Sequence, residues 1–376
     1  MMRPVLSLAR RLGAAVLAGA AALAAAVPPV QAAAALDTLQ LAPGFRIELW
    51  SDRVPDARAI ALGARGTVFV GSRQAGKVYA VEPAEDGRRG GRVYVVASGL
   101  EQPVGVAFHD GDLYVSAIDR IVVLRDVERD LAKPPKPELV SDAFPKDKHH
   151  GWKFIAFGPD GKLYVPIGAP CNICDRGDDY AKIVRMNADG SGREDVALGV
   201  RNSVGLAWHP ATGRLWFTDN GRDMLGDDGP GDEINRVDRR GAHYGYPYCH
   251  QGDLPDPEFG AGKACKDFVA PVRVLGAHVA ALGLRFYTGT QFPAAYRNAL
   301  IVAEHGSWNR SKKSGYRVMA ARLDGDHIVG YEPLVDGFQK NEQAQGRPVD
   351  VQVMPDGSLL VSDDLAGALY RISYGG

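Results

Sequence analysis

The sequence has no long hydrophobic run after its first 32 residues, no excess of basic charge and few cysteines. No later segment is apolar enough to span a bilayer, so we expect no membrane span in the rest of the chain. Lys and Arg number 44 against 45 Asp and Glu, a formal net charge of −1 at pH 7. This mildly acidic balance argues against a general nucleic-acid partner.

The long apolar run lies at the N-terminus. Residues 1–32 contain three Arg, then an Ala-rich stretch, and end in Val-Gln-Ala. A basic start, an apolar middle and a small-residue exit predict a secretory signal peptide, with an uncleaved membrane anchor as the alternative. We therefore expect a mature chain of residues 33–376 that forms one domain and is periplasmic or secreted from a bacterial cell.

The four cysteines are Cys171, Cys174, Cys249 and Cys265. Asp175 follows the close-spaced pair where a c-type haem attachment needs a histidine, so that cofactor is excluded. A zinc site needs a second close-spaced pair, which the other two cysteines do not provide, although zinc stays the competing interpretation. In an exported chain the sequence predicts two disulfides, and we expect local pairing, Cys171 with Cys174 and Cys249 with Cys265.

Glycine and proline are abundant, with 45 and 24 residues, which favours tight turns and short strands. A pattern of β-rich run, turn, β-rich run, loop and third run recurs six times. The copies begin at Ala59, Val104, Lys153, Val204, Leu282 and Val349. One such sheet cannot bury both faces, so the copies must stack, and the sequence predicts an all-β, six-bladed β-propeller. A β-sandwich is the alternative. The early run Phe45–Trp50 could supply the outer strand that closes the ring against the last copy.

The repeat also predicts which loops meet. The segments before strand one and after strand two of each copy should lie together, at the end of the channel opposite the hairpin turns. We call this end the rim. Its polar side chains include Gln102, His149, His150, Arg201, Asn202, His278 and Arg347. Imidazole, guanidinium and amide groups at one channel mouth predict a site for a polar ligand.

The adjacent His149 and His150 stand in the segment 146–154, before strand one of the third copy. Because adjacent residues at a strand entrance tend to point apart, we do not expect one metal ion to bind both. His150 is the preferred candidate for a base, since imidazole titrates near neutral pH and can take a proton from an alcohol. Arg201 and Arg347 offer fixed positive charge for carboxylates or for a developing oxyanion.

The run Thr218–Asn235 is rich in carboxylates and glycines. Hard oxygen ligands at this density suit Ca²⁺, whose sites also accept backbone carbonyls that glycines can turn inward. The run does not match an EF-hand loop, and a solvated acidic loop is the alternative interpretation.

Several segments resemble the soluble glucose/sorbosone dehydrogenase family, across nearly the whole mature chain. They are KHHGWKFIAFGPDGKLYVPIG, GVRNSVGLAWHPATGRLWFTDNGRD, DEINRV with GAHYGYPYC, and GRPVDVQVMPDGSLLVSDD. Members of that family are six-bladed propellers that use pyrroloquinoline quinone (PQQ) with Ca²⁺. The resemblance, nearest to the sorbosone-dehydrogenase-like branch, implies both cofactors and the oxidation of an aldose or related sugar aldehyde or lactol. The sugar and the electron acceptor stay unidentified.

The resemblance also implies roles for individual residues. His150 would take the substrate's hydroxyl proton as hydride passes to the quinone, and Arg201 would polarise the reacting quinone oxygen. Asn202, Gln102 and Arg347 match positions that hold the cofactor.

Metal ligands are implied in the same way. The backbone carbonyls of Gly221 and Arg222 match those that bind the catalytic Ca²⁺. Glu233 and the carbonyl of Tyr244 match a second, structural Ca²⁺ site of some relatives.

The chain departs from the family pattern in the loop from Cys171 to Cys174, which is not typical of the glucose-oxidising members, and at two further places. Val349 stands where the family often has a second Arg near the last repeat's first strand. A cofactor-binding Lys of the fifth blade has no ungapped match, which leaves Arg310, Lys312 and Lys313 as candidates.

Two other functions fit a six-bladed propeller: a metal-dependent lactonase or other hydrolase, and a non-catalytic binding protein of the envelope.

Overall fold

The computed structural model describes residues 36–375, so the expected signal peptide lies outside the described residues. Within this range the chain is almost entirely β, apart from four short 3₁₀ helices. These are Leu36–Thr38, Val127–Arg129, Cys265–Asp267 and Ala294–Tyr296. Across the same residues, no helix combines the length and apolar character needed to cross a membrane.

The strands follow one another in short antiparallel sheets. Two strands precede the first blade, β1 (Gln40–Leu41) and β2 (Phe45–Ser51). Blade one contains β3 (Ala57–Leu62), β4 (Val68–Ser72), β5 (Lys77–Pro83) and β6 (Gly90–Ser98). Blade two contains β7 (Val106–His109), β8 (Asp112–Ser116), β9 (Ile121–Leu124) and β10 (Glu138–Ser141). Blade three contains β11 (Ala156–Phe157), β12 (Leu163–Ile167), β13 (Lys182–Met186) and β14 (Glu194–Leu198).

Blade four contains a long excursion before its last strand. It begins with β15 (Leu206–Trp208), β16 (Leu215–Asp219) and β17 (Gly231–Arg236). Next come β18 (Ala242–His243), which pairs in parallel with β14, and the hairpin β19 (Cys249–His250) and β20 (Leu254–Pro255). The strand β21 (Arg273–Ala277) then completes the blade against β17.

Blades five and six complete the ring. Blade five contains β22 (Ala281–Phe286), β23 (Leu300–Glu304), β24 (Arg317–Asp324) and β25 (His327–Asp336), with β1 added at its outer edge. A small hairpin follows, β26 (Gln339–Lys340) and β27 (Gln343–Ala344). Blade six contains β28 (Pro348–Val353), β29 (Leu359–Asp363) and β30 (Ala368–Tyr374).

The predicted six-bladed propeller is confirmed, and so is its closure. The early strand β2 pairs antiparallel with β30, from Phe45 opposite Tyr374 to Ser51 opposite Leu369. The N-terminal strand therefore supplies the outermost strand of the last blade. The first strands contact their neighbours around the channel, β28 with β3, β3 with β7, β7 with β11, β15 with β22 and β22 with β28.

The second strands are buried along all or nearly all of their length. In β12, β16 and β29 every residue is buried, because each strand lies inside a blade whose two faces pack on neighbouring blades. Hydrophobic clusters fill the spaces between blades, for example between blades four and five around Trp216, Phe286 and Met319. This two-sided burial explains why the second strands are nearly continuous apolar runs in the sequence.

The two ends of the propeller differ as predicted. Tight turns join first and second strands at one end, as at Gly161 (φ 70°) between β11 and β12. The segments before the first strand and after the second strand form the rim. Gln102, His150 and His278, each shortly before a first strand, have φ of 49°, 49° and 61°. Non-glycine residues adopt this left-handed conformation only where surrounding contacts impose it.

The predicted disulfides are confirmed. Cys171 bonds Cys174, Cys249 bonds Cys265, and no described cysteine is free. Because all four thiols are used, the competing zinc interpretation is wrong.

Candidate active site

His150 lies in a left-handed turn shortly before β11, and it is 8% exposed. Its Nδ1 lies 2.9 Å from the carbonyl oxygen of Ala169, the residue that follows β12 by two positions. A carbonyl oxygen can only accept, so Nδ1 carries the proton and Nε2 keeps its lone pair. The imidazole is thereby oriented with a basic nitrogen that Ala169 does not occupy.

The expectation that His149 and His150 point apart is wrong. Their ring centroids lie 4.1 Å apart in an edge-to-face arrangement. The reason is the turn itself, because alternation of side chains requires an extended backbone and His150 is left-handed. Burial, and then the positive charge of Arg201 and the proximity of His149, hold the pKa of His150 well below its usual range. The ring is therefore neutral at physiological pH.

Gly168 brings His150 next to Asn202. A Cβ built on Gly168 would lie 2.6 Å from the Cβ of His150, 2.7 Å from its carbonyl oxygen and 3.3 Å from Oδ1 of Asn202. Only glycine fits between these two residues, so Gly168, which directly follows β12, sets their spacing.

Asp219, at the end of β16, fixes the backbone of the Arg201–Asn202 pair. Its carboxylate accepts the backbone N–H of Arg201 at 2.8 Å and that of Asn202 at 2.6 Å. Burial raises the pKa of Asp219, although these two N–H groups favour its charged form. A buried side chain of the same blade thus fixes the backbone of this pair.

The Arg201 guanidinium is buried, and the loop after β12 holds it. Nε donates to the carbonyl oxygen of Asn172 at 2.8 Å, and Nη2 donates to Oδ1 of the same residue at 2.9 Å. Nη1 donates to the carbonyl oxygen of Asn220 at 3.0 Å, while the nearest carboxylate, Asp223, is 3.6 Å away. Sequence analysis missed Asn172, since its only signal was a position between two disulfide-bonded cysteines on the rim.

Arg73 and Gln102 line the rim at blades one and two. Nε of Arg73 donates to Oε1 of Gln102 at 3.2 Å, and its guanidinium lies 4.1 Å from the ring centroid of Trp152. Trp152 in turn packs edge-to-face against His150 at 5.8 Å. Two side chains without an assigned role, Arg73 and Trp152, therefore connect Gln102 with His150.

A second basic group comes from blades one, five and six. Arg58 pairs with Asp364 at 2.7 Å, and His305 lies 3.0 Å from the same carboxylate. Arg347 donates from Nη2 to the carbonyl oxygen of Gly306 at 3.2 Å. Arg58 is 3% exposed, and its Nε has no hydrogen-bond partner among residues 36–375.

The charges of this region act on one another. Burial lowers the pKa of Arg73, and the positive charges of Arg58 and Arg347 lower it further. Burial alone would raise the pKa of Asp364, but His305 and Arg58 hold it below its usual range. The arginines are close enough to repel one another, so an anion bound between them would be stabilised.

The predicted metal-binding positions lie beside Arg201. A small cavity of about 10 Å³ lies among them. It is lined by Gly199, Arg201, Asp219, Asn220, Gly221, Glu233, Tyr244, Tyr246, Cys249 and His250. Burial raises the pKa of Glu233, and the neighbouring Asp219, its cross-strand partner, raises it further. A cation in this cavity would keep both carboxylates charged.

The backbone, not the side chain, of Arg222 is available to a metal. Its guanidinium is bonded to Asp256 at 2.5 Å and to Glu258 at 3.0 Å. Within residues 36–375, the carbonyl oxygens of Gly221, Arg222 and Tyr244 accept no hydrogen bond. In the same range, no three His, Cys, Asp or Glu side chains are grouped as a metal site, so any cation here needs backbone oxygens.

Two of the three fifth-blade candidates, Arg310 and Lys312, lie in the segment after β23. Arg310 donates to the carbonyl oxygen of Asp227 at 2.9 Å and pairs with Asp228 at 3.1 Å. Lys312 is exposed, and its carbonyl oxygen accepts a hydrogen bond from Arg310. Arg310 therefore contacts the acidic loop after β16, and Lys312 is hydrogen-bonded to Arg310.

The turn end of the channel also has a cavity, of about 670 Å³. Arg285 is the charged residue of its lining, which otherwise consists mainly of apolar residues and turn glycines. With no acid, base or amide cluster comparable to the rim, it is not a candidate active site.

Comparison with known proteins matches this chain to one family. Residues 110–371 match the family model described as Glucose / Sorbosone dehydrogenase. An uncharacterised protein of Borreliella burgdorferi is 34% identical over 353 residues, 90% of this chain and 91% of that protein. The calcium structure of a Trichoderma reesei carbohydrate-active enzyme of family AA12 superposes with a TM-score of 0.79 at 19% identity, covering 90% of this chain and 97% of that one. The holo PQQ domain of Coprinopsis cinerea pyranose dehydrogenase gives 0.77 at 20% identity, covering 89% and 97%. The chain belongs to the glucose/sorbosone dehydrogenase family.

Proposed function

We propose that the protein is a PQQ- and Ca²⁺-dependent oxidoreductase that oxidises an aldose, or a related sugar lactol or aldehyde, with His150 as the base. The observation that carries the proposal is the state of His150. Its Nδ1 proton is donated to Ala169, its Nε2 is basic, and its neighbours are Asn202 and the Arg201 charge. A neutral, oriented imidazole beside a fixed cation suits proton removal from a hydroxyl group whose carbon is oxidised.

The residues of the rim fit PQQ, a quinone with several carboxylates. Arg347 and Gln102 are the proposed carboxylate contacts, and Arg73 and Arg58 add positive charge that Val349 does not supply. The unpartnered, buried Nε of Arg58 supports an anion site here. When bound, PQQ supplies the two-electron acceptor for the substrate's hydride. Arg201 and Asn202 would then orient the quinone, and His150 would hold the proton taken from the substrate at its Nε2.

Calcium also fits the donor set. The carbonyl oxygens of Gly221 and Arg222 are the proposed ligands of a catalytic ion, and Glu233 with the carbonyl of Tyr244 those of a structural ion. Free carbonyl oxygens beside buried carboxylates of raised pKa are the hard oxygen donors that Ca²⁺ prefers. The catalytic ion would supply Lewis-acid chemistry at the quinone.

The fifth-blade contact is part of the proposal. Arg310 or Lys312 is the proposed basic contact of the cofactor from blade five, and Arg310 is the one that contacts the acidic loop after β16. We also propose that residues 1–32 are removed as a signal peptide and that residues 33–376 act as one periplasmic or secreted domain, passing electrons to an acceptor outside the cytoplasm. Mass spectrometry of the protein isolated from an expressing bacterium would locate the mature N-terminus.

The decisive experiment is reconstitution. The purified protein is titrated with PQQ and CaCl₂, and the reduction of a dye acceptor is followed across a panel of aldoses and sugar aldehydes. We expect saturable PQQ binding and sugar-dependent dye reduction. His150→Ala should lower kcat by about 10²–10⁴-fold, the usual contribution of a general base. His149→Ala, the matched control, should change kcat by less than about tenfold.

Other outcomes identify other functions. If the protein binds no PQQ and reduces no dye, the dehydrogenase proposal is wrong. Lactone hydrolysis that needs Ca²⁺ but not PQQ would identify a hydrolase. Ligand capture unaffected by His150→Ala would indicate a binding propeller.

A further inference from the structure

We propose that Asn172, inside the loop closed by the Cys171–Cys174 disulfide, is a positioning residue for the Arg201 guanidinium. This inference rests on the proposed function, in which Arg201 acts on the bound quinone. Asn172 lies in blade three and Arg201 precedes the first strand of blade four, so the contact joins two blades at the rim.

Asn172 uses nearly all of its hydrogen-bonding groups at this point. Its carbonyl oxygen and Oδ1 accept from Nε and Nη2 of Arg201 at 2.8 and 2.9 Å. Oδ1 also accepts the backbone N–H of Asp223 at 2.8 Å, and Nδ2 donates to the carbonyl oxygen of Asp223 at 2.9 Å. One amide therefore ties Arg201 to the loop that carries the proposed calcium-binding carbonyls of Gly221 and Arg222.

The contact orients Arg201 without neutralising it. Three of the five guanidinium N–H donors go to carbonyl and amide oxygens, through Asn172 and Asn220, which leaves two donors for a ligand. The nearest carboxylate, Asp223, is 3.6 Å from Nη2. A neutral amide at position 172 thus preserves the positive charge that an anionic or developing oxyanionic ligand requires.

The disulfide fixes the loop from which Asn172 projects. Cys171 and Cys174 close a four-residue ring around it. The hydroxyl oxygen of Tyr246, a buried residue of the blade-four excursion, accepts the backbone N–H of Cys174 at 3.0 Å and lies 3.5 Å from Sγ of Cys171. An open loop would have more backbone freedom, so the Arg201 contact would be formed for a smaller fraction of the time.

The test is a double-mutant cycle on the reconstituted enzyme, with Asn172→Ala, Arg201→Ala and the double variant. We expect Asn172→Ala to lower kcat by about 10–10²-fold, since misplacing a reacting group by 1 Å has that effect. If Asn172 acts through Arg201, the double variant should be no slower than Arg201→Ala alone. Independent, multiplying losses in the cycle would overturn the proposal.

Three further variants sharpen the result. Asn172→Asp keeps the acceptor that Arg201 uses but adds a negative charge, so it should not rescue kcat. Asp178, an exposed residue of the same connection between β12 and β13 but outside the disulfide-closed loop, provides the matched control, and Asp178→Ala should leave kcat unchanged. Cys171→Ser/Cys174→Ser should lower kcat in the direction of Asn172→Ala, and unchanged kcat in this variant would refute the role of the disulfide.

Two measurements separate this inference from the proposed function. PQQ titration of the apo variants reports cofactor affinity without turnover, and a crystal structure of Asn172→Ala reports where the guanidinium lies. If the wild type binds no PQQ, the proposed function fails. If the guanidinium keeps its place within 0.5 Å in Asn172→Ala, about the tolerance of a preorganised site, the positioning role fails, whatever the activity.

Discussion

The tight packing of Gly168 between His150 and Asn202 makes a quantitative prediction about activity. In Gly168→Ala, the new methyl carbon would lie 2.6 Å from the Cβ of His150, about 0.8 Å less than the 3.4 Å at which ordinary contact begins. The His150 carbonyl oxygen would be 2.7 Å away, so a side-chain rotation cannot relieve the overlap and the turn around His150 must move. A shift approaching 1 Å at a reacting group costs about 10²-fold in rate, and overpacking costs about 1–3 kcal/mol of stability.

The assay compares kcat of dye reduction, PQQ affinity and the urea midpoint for Gly168→Ala with those for Gly161→Ala. Gly161 is the matched control, because it lies in the same blade at the turn end, has φ 70° and has open space around its added Cβ. Alanine there costs about 1–2 kcal/mol through backbone strain alone. We expect similar stability losses in both variants but a large loss of kcat only in Gly168→Ala. If the two variants keep the same kcat, the spacing of His150 and Asn202 does not govern catalysis and the reasoning is refuted.

Three further predictions concern stability. Burial lowers the pKa of His305 from 6.5 to about 4 despite its partner Asp364, so the folded state binds fewer protons than the unfolded state. Stability should therefore fall as pH drops from about 6.5 towards 4. The thermal midpoint of His305→Gln should depend less on pH in that window than the wild-type midpoint does, and an equal pH dependence would contradict this prediction. Arg222→Ala leaves the fully buried Asp256 carboxylate without its arginine and should cost about 3–5 kcal/mol in urea unfolding, whereas a loss below 1 kcal/mol would mean that the pair is dispensable. Val349→Arg should lower the urea midpoint, because Val349 is 2% exposed within an apolar cluster; an unchanged midpoint would show that an arginine can reach the rim from this position.

Much of the fold could be predicted from the sequence because it depends on strands and turns that are close together along the chain. Apart from the added strands β1, β2 and β18, each blade consists of strands that are consecutive in the sequence, so its turns and β-rich runs repeat along the chain and predict the blade count. The closing strand Phe45–Ser51 was also identifiable, because it is a β-rich run without a copy of its own and the last blade needs an outer strand. The excursion between β17 and β21 follows no repeat, and its pairing of β18 with blade three could not be predicted.

The site was predictable only in part. The repeat predicts that Gln102, His150, Arg201 and Arg347 share the rim, because equivalent loop positions of a propeller meet at one end. It does not predict which side chains touch. Sequence alternation suggested that His149 and His150 diverge, and a left-handed turn brings their rings to 4.1 Å instead.

The sequence by itself predicted the all-β repeat, the local pairing of the cysteines and the end of the propeller where polar side chains gather, because these depend on local propensity and on period. Only the tertiary structure decided how residues from different blades meet. The Asn172–Arg201 contact joins blades three and four, and the Arg58–Asp364–His305 group joins blades one, six and five. Such contacts link residues up to 306 positions apart, and their geometry depends on how all six blades pack around the channel, which no local pattern encodes.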